Sequence, residues 1–191
     1  MIDGAAVLMA STFAAFQANF WSDNRGTNML DGGSHFYEIF ETSDGKYISL
    51  GSIEPQFYAE LLEKLGEPAQ EMFAKQYDIA NWPLMQEQMA ELIKQKTRDE
   101  WDCVFLGSDA CYAPVLSMAE GRLHPHHRGT FVEQDGGWQP MPAPRFSRTD
   151  AKIQRPPATI GQHTKEVLIE LGFHVDEISA RLESGAIAQK V

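Results

Sequence analysis

The fold of this chain is decided by residues 28–66, NMLDGGSHFYEIFETSDGKYISLGSIEPQFYAELLEKLG. Two apolar-rich runs, 36–40 and 47–50, flank the dipeptide Asp44-Gly45. An Asp-Gly pair between two such runs is a strong local signal for a β-hairpin. The stretch therefore predicts two antiparallel strands joined by a tight turn.

A helix is predicted directly after the hairpin. Pro55 suits the first position of a helix, and Gly66 can end it in a left-handed conformation. Glu54 then lies at the N-terminus of this helix, where free N–H groups and the helix dipole favour an ionised carboxylate. We expect Glu54 to be a buried, charged group.

The rest of the chain predicts an α+β fold, in which a small antiparallel sheet or hairpin packs with helices. A further helix is expected after Asn81, and its buried face consists of Met85, Met89, Leu92 and Ile93. Thr97-Arg98-Asp99-Glu100 has the spacing of a capping box, which indicates another helix start. Residues 2–20 carry apolar side chains at helical intervals with few polar positions, which predicts a buried helix.

The composition divides the chain into three regions. Residues 1–22 form a helix that we expect to pack on a large domain missing from this chain. Residues 28–135 form the small α+β domain. Residues 136–191 begin with a proline-rich extended strap and end in short docking helices, which Thr164 and Asp176 are expected to open.

Charge and cysteine content exclude several classes of function. The net charge of −11 disfavours binding to nucleic acids and to anionic membranes. The apolar first twenty residues contain Asp3 and no basic residue before Arg25, so they resemble neither a signal peptide nor a membrane span. Cys103 and Cys111 have no metal-site spacing, and we expect two buried thiols in a reducing, cytoplasmic compartment.

Other polar groups suggest chemistry less specifically. The run His124-Pro125-His126-His127 lacks zinc-like partner spacing and is interpreted as a surface turn. His35, beside the glycine pair of residues 32 and 33, is a candidate proton carrier.

Two arginines near the start of the strap could bind a phosphate or a carboxylate of a partner. For Arg145 and Arg148, a salt bridge that anchors the strap is the preferred interpretation.

Several segments carry a resemblance to a known family: NMLDGGSHFY, TSDGKYISLGSIEPQFY, TRDEW, GSDACYAPVLSMAE and PAPRFSRTDAKIQRPPATIGQHTKEVLIELGF. They resemble, in order along nearly the whole chain, the small domain of α-methylacyl-CoA racemases within the family III CoA-transferase superfamily. Members of that family are about twice as long as this chain, and Met1 resembles a point well inside them. The resemblance thus implies that the half supplying most CoA-binding and catalytic groups is missing here.

The resemblance also implies roles for individual residues. Glu54 matches the glutamate that orients the catalytic histidine, and that histidine has no position in this chain. Residues expected to line the acyl pocket are Leu30, Gly32, Gly33, Tyr37 and Ile53. No metal and no cofactor are implied, because acyl-CoA is the substrate.

The implied activity is inversion at the α-carbon of a 2-methylacyl-CoA thioester, an isomerase reaction of lipid metabolism. We expect an incomplete or partner-dependent chain, acting as a homodimer or with a complementary N-terminal half. Two alternatives remain open. One is a part of a family III CoA-transferase, whose aspartate nucleophile would lie in the missing half. The other is a non-catalytic binding or assembly module.

Overall fold

A computed structural model describes residues 1–127, 129–134 and 136–189. Its internal contacts divide the chain into two compact units, Met1–Ser117 and Met118–Val191. The sequence placed the end of the small domain at residue 135. In the first unit a three-stranded sheet packs against helices, and the predicted α+β class is confirmed.

The N-terminal segment forms two short helices, α1 (Ile2–Leu8) and α2 (Ala10–Gln17). The prediction of one continuous helix is wrong, because the chain turns at Met9, whose φ is −87° and ψ is 5°. Neither helix contains a buried residue, and the expected packing on a large domain outside this chain stays a prediction. Large apolar side chains, including Val7, Leu8 and Phe13, are exposed instead.

The sheet consists of β1 (Tyr37–Glu41), β2 (Tyr47–Gly51) and β3 (Tyr112–Val115), antiparallel and in that order. The hairpin of β1 and β2 is confirmed, with Tyr37 opposite Gly51. Gly45 in its turn has φ of +72°, which a residue without Cβ adopts readily.

Four further helices belong to the first unit: α3 (Pro55–Leu65), α4 (Glu67–Met72), α5 (Trp82–Ile93) and α6 (Arg98–Phe105). The sequence predicted α3, α5 and α6, and it did not predict α4. The capping box at α6 is confirmed, because Thr97 and Glu100 satisfy each other's backbone N–H groups. These helices cover one face of the sheet.

The core lies between that inner face and the helices. From the sheet, Phe40, Ile48 and Leu50 are buried, because alternate residues of a strand point to the same side. The helices contribute Tyr58, Leu61, Leu62, Trp82, Met85, Met89, Ile93, Trp101 and Phe105. The opposite face of the sheet carries exposed apolar side chains, which include Tyr37, Ile39, Tyr47 and Val115.

The second unit starts with α7 (Met118–Gly121), a 3₁₀ turn (Pro125–His127) and a hairpin of β4 (Phe131–Gln134) with β5 (Gly137–Pro140). The predicted strap from residue 136 is therefore partly wrong, because its first residues form a strand. Within the predicted strap, residues 141–163 form neither helix nor strand.

Two helices end the described chain, α8 (Thr164–Glu170) and α9 (Val175–Glu183). The predicted caps are wrong by one or two residues. Thr164 is already helical and donates its hydroxyl to the Gly161 carbonyl at 3.0 Å. At α9 the cap is His174 in a capping box with Glu177. Within the described ranges, every helix is too short or too polar to cross a bilayer.

Candidate functional site: a cavity at the glycine-rich loop

A cavity of about 470 Å³ opens beside the glycine-rich loop of the first unit. The loop and strands β1 and β2 form most of its wall, and the residue before β3 completes it. The lining residues are Leu30, Asp31, Gly32, Tyr37, Glu38, Ile39, Ser49, Leu50, Gly51 and Cys111. This size falls within the range of small-molecule sites in proteins.

The loop is fixed by a hydrogen-bonded pair at its start. Asn28 is buried and donates its backbone N–H to Asp31 Oδ1 and its side-chain amide to Asp31 Oδ2, each at 2.7 Å. Ser22 N–H donates to the Asn28 side-chain oxygen at 2.7 Å. This closed network places Leu30, which is exposed, at the edge of the cavity.

The two glycines are required by different constraints. Gly32 has φ of +98°, and a Cβ on it would lie 2.7 Å from Glu38 Oε2. Gly33 is buried, and its Cβ would lie 2.5 Å from the Asn28 carbonyl oxygen. Gly33 therefore has no room for a Cβ beside the backbone of Asn28, and Gly32 adopts a positive φ that residues with a side chain rarely adopt.

Much of the strand wall comes from the outer face of the sheet, and Glu38 and Leu50, which alternate with the outer-face residues, also line the cavity. Tyr37 and Ile39 on β1 lie opposite Gly51 and Ser49 on β2, so all four belong to one face. A Cβ on Gly51 would be 3.8 Å from Tyr37 Cε2, so the phenol ring covers this glycine. The wall thus combines an aromatic ring, an aliphatic side chain and a bare stretch of backbone.

Cys111 completes the wall at the edge of the sheet. It has φ of +51°, and its carbonyl accepts a hydrogen bond from Gly51 N–H at 2.9 Å. Desolvation, followed by the charges of Glu54 and Asp109, raises the pKa of the Cys111 thiol. The thiol is therefore mostly neutral at physiological pH.

The expectation that both cysteines are buried is wrong, since both thiols are free and exposed. Cys103 lies on α6 between Trp101 and Phe105, which face the core, so its side chain points the other way. Cys111 precedes a strand and faces the cavity.

Glu54 is the residue before α3, with extended backbone angles of φ −71° and ψ 144°. Its side chain makes no capping hydrogen bond and is exposed, so the predicted burial is wrong. It does not line the cavity, yet its charge acts on the thiol of Cys111, which does. The carboxylate therefore lies close to the cavity with its oxygens open to solvent.

The segment that carries Glu54 is held in place from the core side. Gln76 donates its amide to the carbonyls of Ser52 and Ile53, each at 2.9 Å, and the Tyr77 hydroxyl donates to Ile53 at 2.7 Å. Gln76 is itself buried, and its carbonyl accepts from the Trp82 indole at 2.8 Å. These bonds fix the direction in which the chain enters α3.

Of the predicted pocket residues, Leu30, Gly32 and Tyr37 are brought together around the cavity. Gly33 supports the loop from a buried position, and Ile53 packs against the core. Neither of these two lines the cavity, and their contact with a substrate stays a prediction.

His35 belongs to the core and does not line the cavity. Its side chain is fully buried, its Nε2 lies 2.6 Å from the Tyr58 hydroxyl, and its ring stacks on Phe73 at 5.3 Å between centroids. Burial lowers the pKa of His35 to about 4. The imidazole is thus neutral at physiological pH, which argues against a proton carrier.

The remaining candidates lie in the second unit. The histidine run includes the 3₁₀ turn Pro125–His127, and no metal-binding group of three His, Cys, Asp or Glu side chains occurs among the described residues. Arg145 donates to the Thr130 hydroxyl at 3.4 Å, and Arg148 is exposed.

Of the ten residues that line the cavity, the predicted site residues include only Leu30, Gly32 and Tyr37. Ile39 could have been inferred, because it shares a strand face with Tyr37. Ser49 and Gly51 follow once the hairpin register is known. Cys111 reaches the cavity because β3 pairs with β2, which lies more than sixty residues earlier in the sequence. No local sequence pattern predicts that pairing.

Residues 1–164 match the profile of CoA-transferase family III. The chain belongs to this family. The resemblance inferred from the motifs is therefore confirmed.

Among curated members, the chain is 41% identical over 183 residues to alpha-methylacyl-CoA racemase of Mus musculus, covering 93% of this chain and 48% of that protein. It is 40% identical over 185 residues to the Homo sapiens racemase, covering 93% and 47%. The chain spans about half the length of the curated relatives it matches.

Succinyl-CoA:glutarate CoA-transferase of Homo sapiens is a more distant relative, 26% identical over 165 residues, covering 81% of this chain and 37% of the transferase. Among solved structures, Rv3272 from M. tuberculosis matches with a TM-score of 0.59 at 18% identity, covering 85% of this chain and 43% of that one. This structural likeness supports the fold alone.

Proposed function

We propose that this chain forms the acyl-binding part of an isomerase that inverts the α-carbon of 2-methylacyl-CoA thioesters. The observation that carries the proposal is the identity of 40–41% to two alpha-methylacyl-CoA racemases over 93% of the chain. No CoA-transferase among the relatives described above approaches this identity. The cavity bounded by Leu30, Gly32 and Tyr37 is the proposed site of the acyl group.

The proposed reaction begins when a base removes the α-proton of the thioester, so that negative charge moves onto the thioester oxygen. An acid on the opposite face then returns a proton to the α-carbon, and the configuration is inverted with no net change in composition. Positioned acid and base groups contribute roughly 10²–10⁴-fold to such steps. We assign both groups to another polypeptide segment, as the resemblance implies.

Glu54 is proposed to orient the imidazole of that pair. An ionised carboxylate next to an imidazole fixes its tautomer and stabilises its cationic form. The exposed oxygens of Glu54 fit this role, because no capping bond engages them. The bonds from Gln76 and Tyr77 hold the preceding backbone rigid, which a positioning group requires.

The partner segment would cover apolar surface that is now exposed. Large apolar side chains are exposed on α1, on α2 and on the outer face of the sheet. Leu8 on α1, for example, is 85% exposed to solvent. Exposed apolar patches of this kind typically mark interaction surfaces. We propose a second copy of the chain or a complementary N-terminal segment as the occupant.

The test is a chimera in which this chain replaces the matching half of the mouse racemase. We expect exchange of the α-proton of a 2-methylacyl-CoA with D₂O, followed by NMR or mass spectrometry. Glu54→Gln should lower the rate of exchange roughly 10- to 100-fold. Glu63→Gln, an exposed change on the same helix, should leave the rate unchanged.

Three results would contradict parts of the proposal. Robust exchange by the isolated chain would refute the dependence on a partner. Transfer of CoA between two carboxylic acids by the chimera would favour the transferase reaction. A folded chimera without exchange would favour a binding or assembly module.

A further inference from the structure

Two carboxylates, those of Asp31 and Glu38, line the proposed acyl cavity. Neither forms an ion pair with Lys, Arg or His within residues 1–127, 129–134 and 136–189. Two lysines of the first unit pair with other carboxylates, Lys46 with Asp44 at 3.6 Å and Lys94 with Glu41 at 3.2 Å. The cavity therefore contains fixed negative charge without a neutralising partner.

Glu38 is held at the cavity by its own strand. Its Oε1 accepts a hydrogen bond from Ile39 N–H at 2.7 Å. Its Oε2 lies against Gly32, 2.7 Å from the point that a Cβ would occupy. The glycine thus leaves room for the carboxylate to lie over the loop, and the side chain is only partly exposed.

Asp31 differs from Glu38, because both of its oxygens accept hydrogen bonds from Asn28. These neutral donors fix the group without cancelling its charge. Glu54 adds to the same field, because its charge acts on Cys111 in the cavity wall. Asp31, Glu38 and Glu54 therefore all contribute negative electrostatic potential at the cavity.

We propose that Glu38 is a specificity-determining residue that excludes acyl groups ending in a carboxylate and admits uncharged ones. The inference rests on the function proposed above. A carboxylate at the end of an acyl group would lie in the cavity next to the carboxylates of Glu38 and Asp31, with no paired cation among the described residues. Repulsion between these like charges would lower the affinity for such an acyl group. Acyl groups of dicarboxylic acids would therefore be excluded from the cavity. Succinyl and glutarate, which the name of the transferase relative contains, are examples.

Cys111 allows a direct measurement of this potential, because its thiol is exposed in the cavity wall. Iodoacetamide and iodoacetate have similar size, and only iodoacetate is charged. The ratio of their alkylation rates at one thiol cancels the reactivity of the thiolate and reports the local potential. We expect Glu38→Gln to lower the ratio of iodoacetamide to iodoacetate rate at Cys111 roughly three- to tenfold at low ionic strength.

The chain provides two internal controls. The same ratio at Cys103, which lies on α6 away from the cavity lining, should not change in Glu38→Gln. Glu41→Gln removes the same charge from the same strand outside the cavity lining and should have a smaller effect at Cys111. An unchanged ratio at Cys111 in Glu38→Gln, or an equal change in Glu41→Gln, would overturn the inference.

Protection of Cys111 by thioesters of N-acetylcysteamine tests selectivity itself. An isobutyryl thioester should protect at lower concentration than a succinyl thioester, and Glu38→Gln should narrow the difference. Equal protection by both in the wild-type chain would overturn the inference while supporting the acyl site. If neither thioester protects Cys111 while the alkylation ratio changes as expected, the result would instead contradict the assignment of the cavity as the acyl site.

Discussion

The buried imidazole of His35 makes the first unit sensitive to acid. The Tyr58 hydroxyl donates its proton to the Phe73 carbonyl at 2.8 Å, so His35 must donate to Tyr58 through Nε2–H. Nδ1 is then the site of protonation, and it has no hydrogen-bond partner among the described residues. A proton bound there would place a charge in the core without an acceptor, which is costly.

The magnitude follows from the difference between the folded and unfolded states. The pKa of His35 falls from 6.5 to about 4 on folding. The unfolded chain therefore binds more protons between these values, and stability decreases as pH falls through this window. Each pKa unit corresponds to 1.36 kcal/mol, so the total loss is about 3 kcal/mol, of which about 2 kcal/mol occurs between pH 7 and 4.5.

The substitution His35→Phe should remove this dependence. Phenylalanine keeps the ring that stacks on Phe73 and has no group to protonate. The variant loses the hydrogen bond to Tyr58, which is destabilising, and it also removes the unpaired Nδ1, which is stabilising. We therefore expect little change in the free energy of unfolding at pH 7. At pH 4.5 the variant should be more stable than the wild-type chain by about 2 kcal/mol.

Urea unfolding at several pH values, followed by fluorescence, measures the difference. Trp82 and Trp101 are buried in the same unit as His35 and report its unfolding. His126→Gln removes an exposed imidazole from the other unit and serves as the control. If the wild-type chain and His35→Phe lose stability in parallel between pH 7 and 4.5, the deduction from burial is refuted.

Two further changes test how the site is built. Gln76→Leu should destabilise the first unit by about 2 kcal/mol in urea unfolding, because two carbonyls before α3 lose a buried donor. An unchanged unfolding midpoint would show that these hydrogen bonds are dispensable for stability. Gly33→Ala should cost about 2 kcal/mol or more, since the new Cβ would lie 2.5 Å from the Asn28 carbonyl oxygen. Gly4→Ala, whose added Cβ has nothing within 4 Å, should not destabilise the unit in the same urea unfolding, and an equal loss of stability in both variants would contradict this steric account.

Local signals predicted most of the first unit. The Asp-Gly turn, the proline that begins α3 and the capping box at the start of α6 each act within a few residues, so their structural outcome does not depend on distant parts of the chain. The methionines of α5 are buried as their spacing predicted, because a single stripe of a helix faces the core.

Features that depend on distant contacts were not predictable. His35 follows a glycine-rich loop and looked reactive, yet Tyr58 and Phe73 enclose it from elements that only tertiary structure brings near. Cys111 joins the cavity through the pairing of β3 with β2. The hairpin of β4 and β5 was missed because its strands are short and Pro140 favoured an extended strap.

The exposure of Glu54 shapes what this carboxylate can do. In water, its interaction with a neighbouring charge is weak, because the high dielectric constant screens it. Cover by a partner segment would exclude water and strengthen its effect on an imidazole held beside it. The orienting role proposed for Glu54 therefore depends on assembly. Gln76 and Tyr77 already fix the backbone, whereas the imidazole and its low-dielectric surroundings must come from the partner segment.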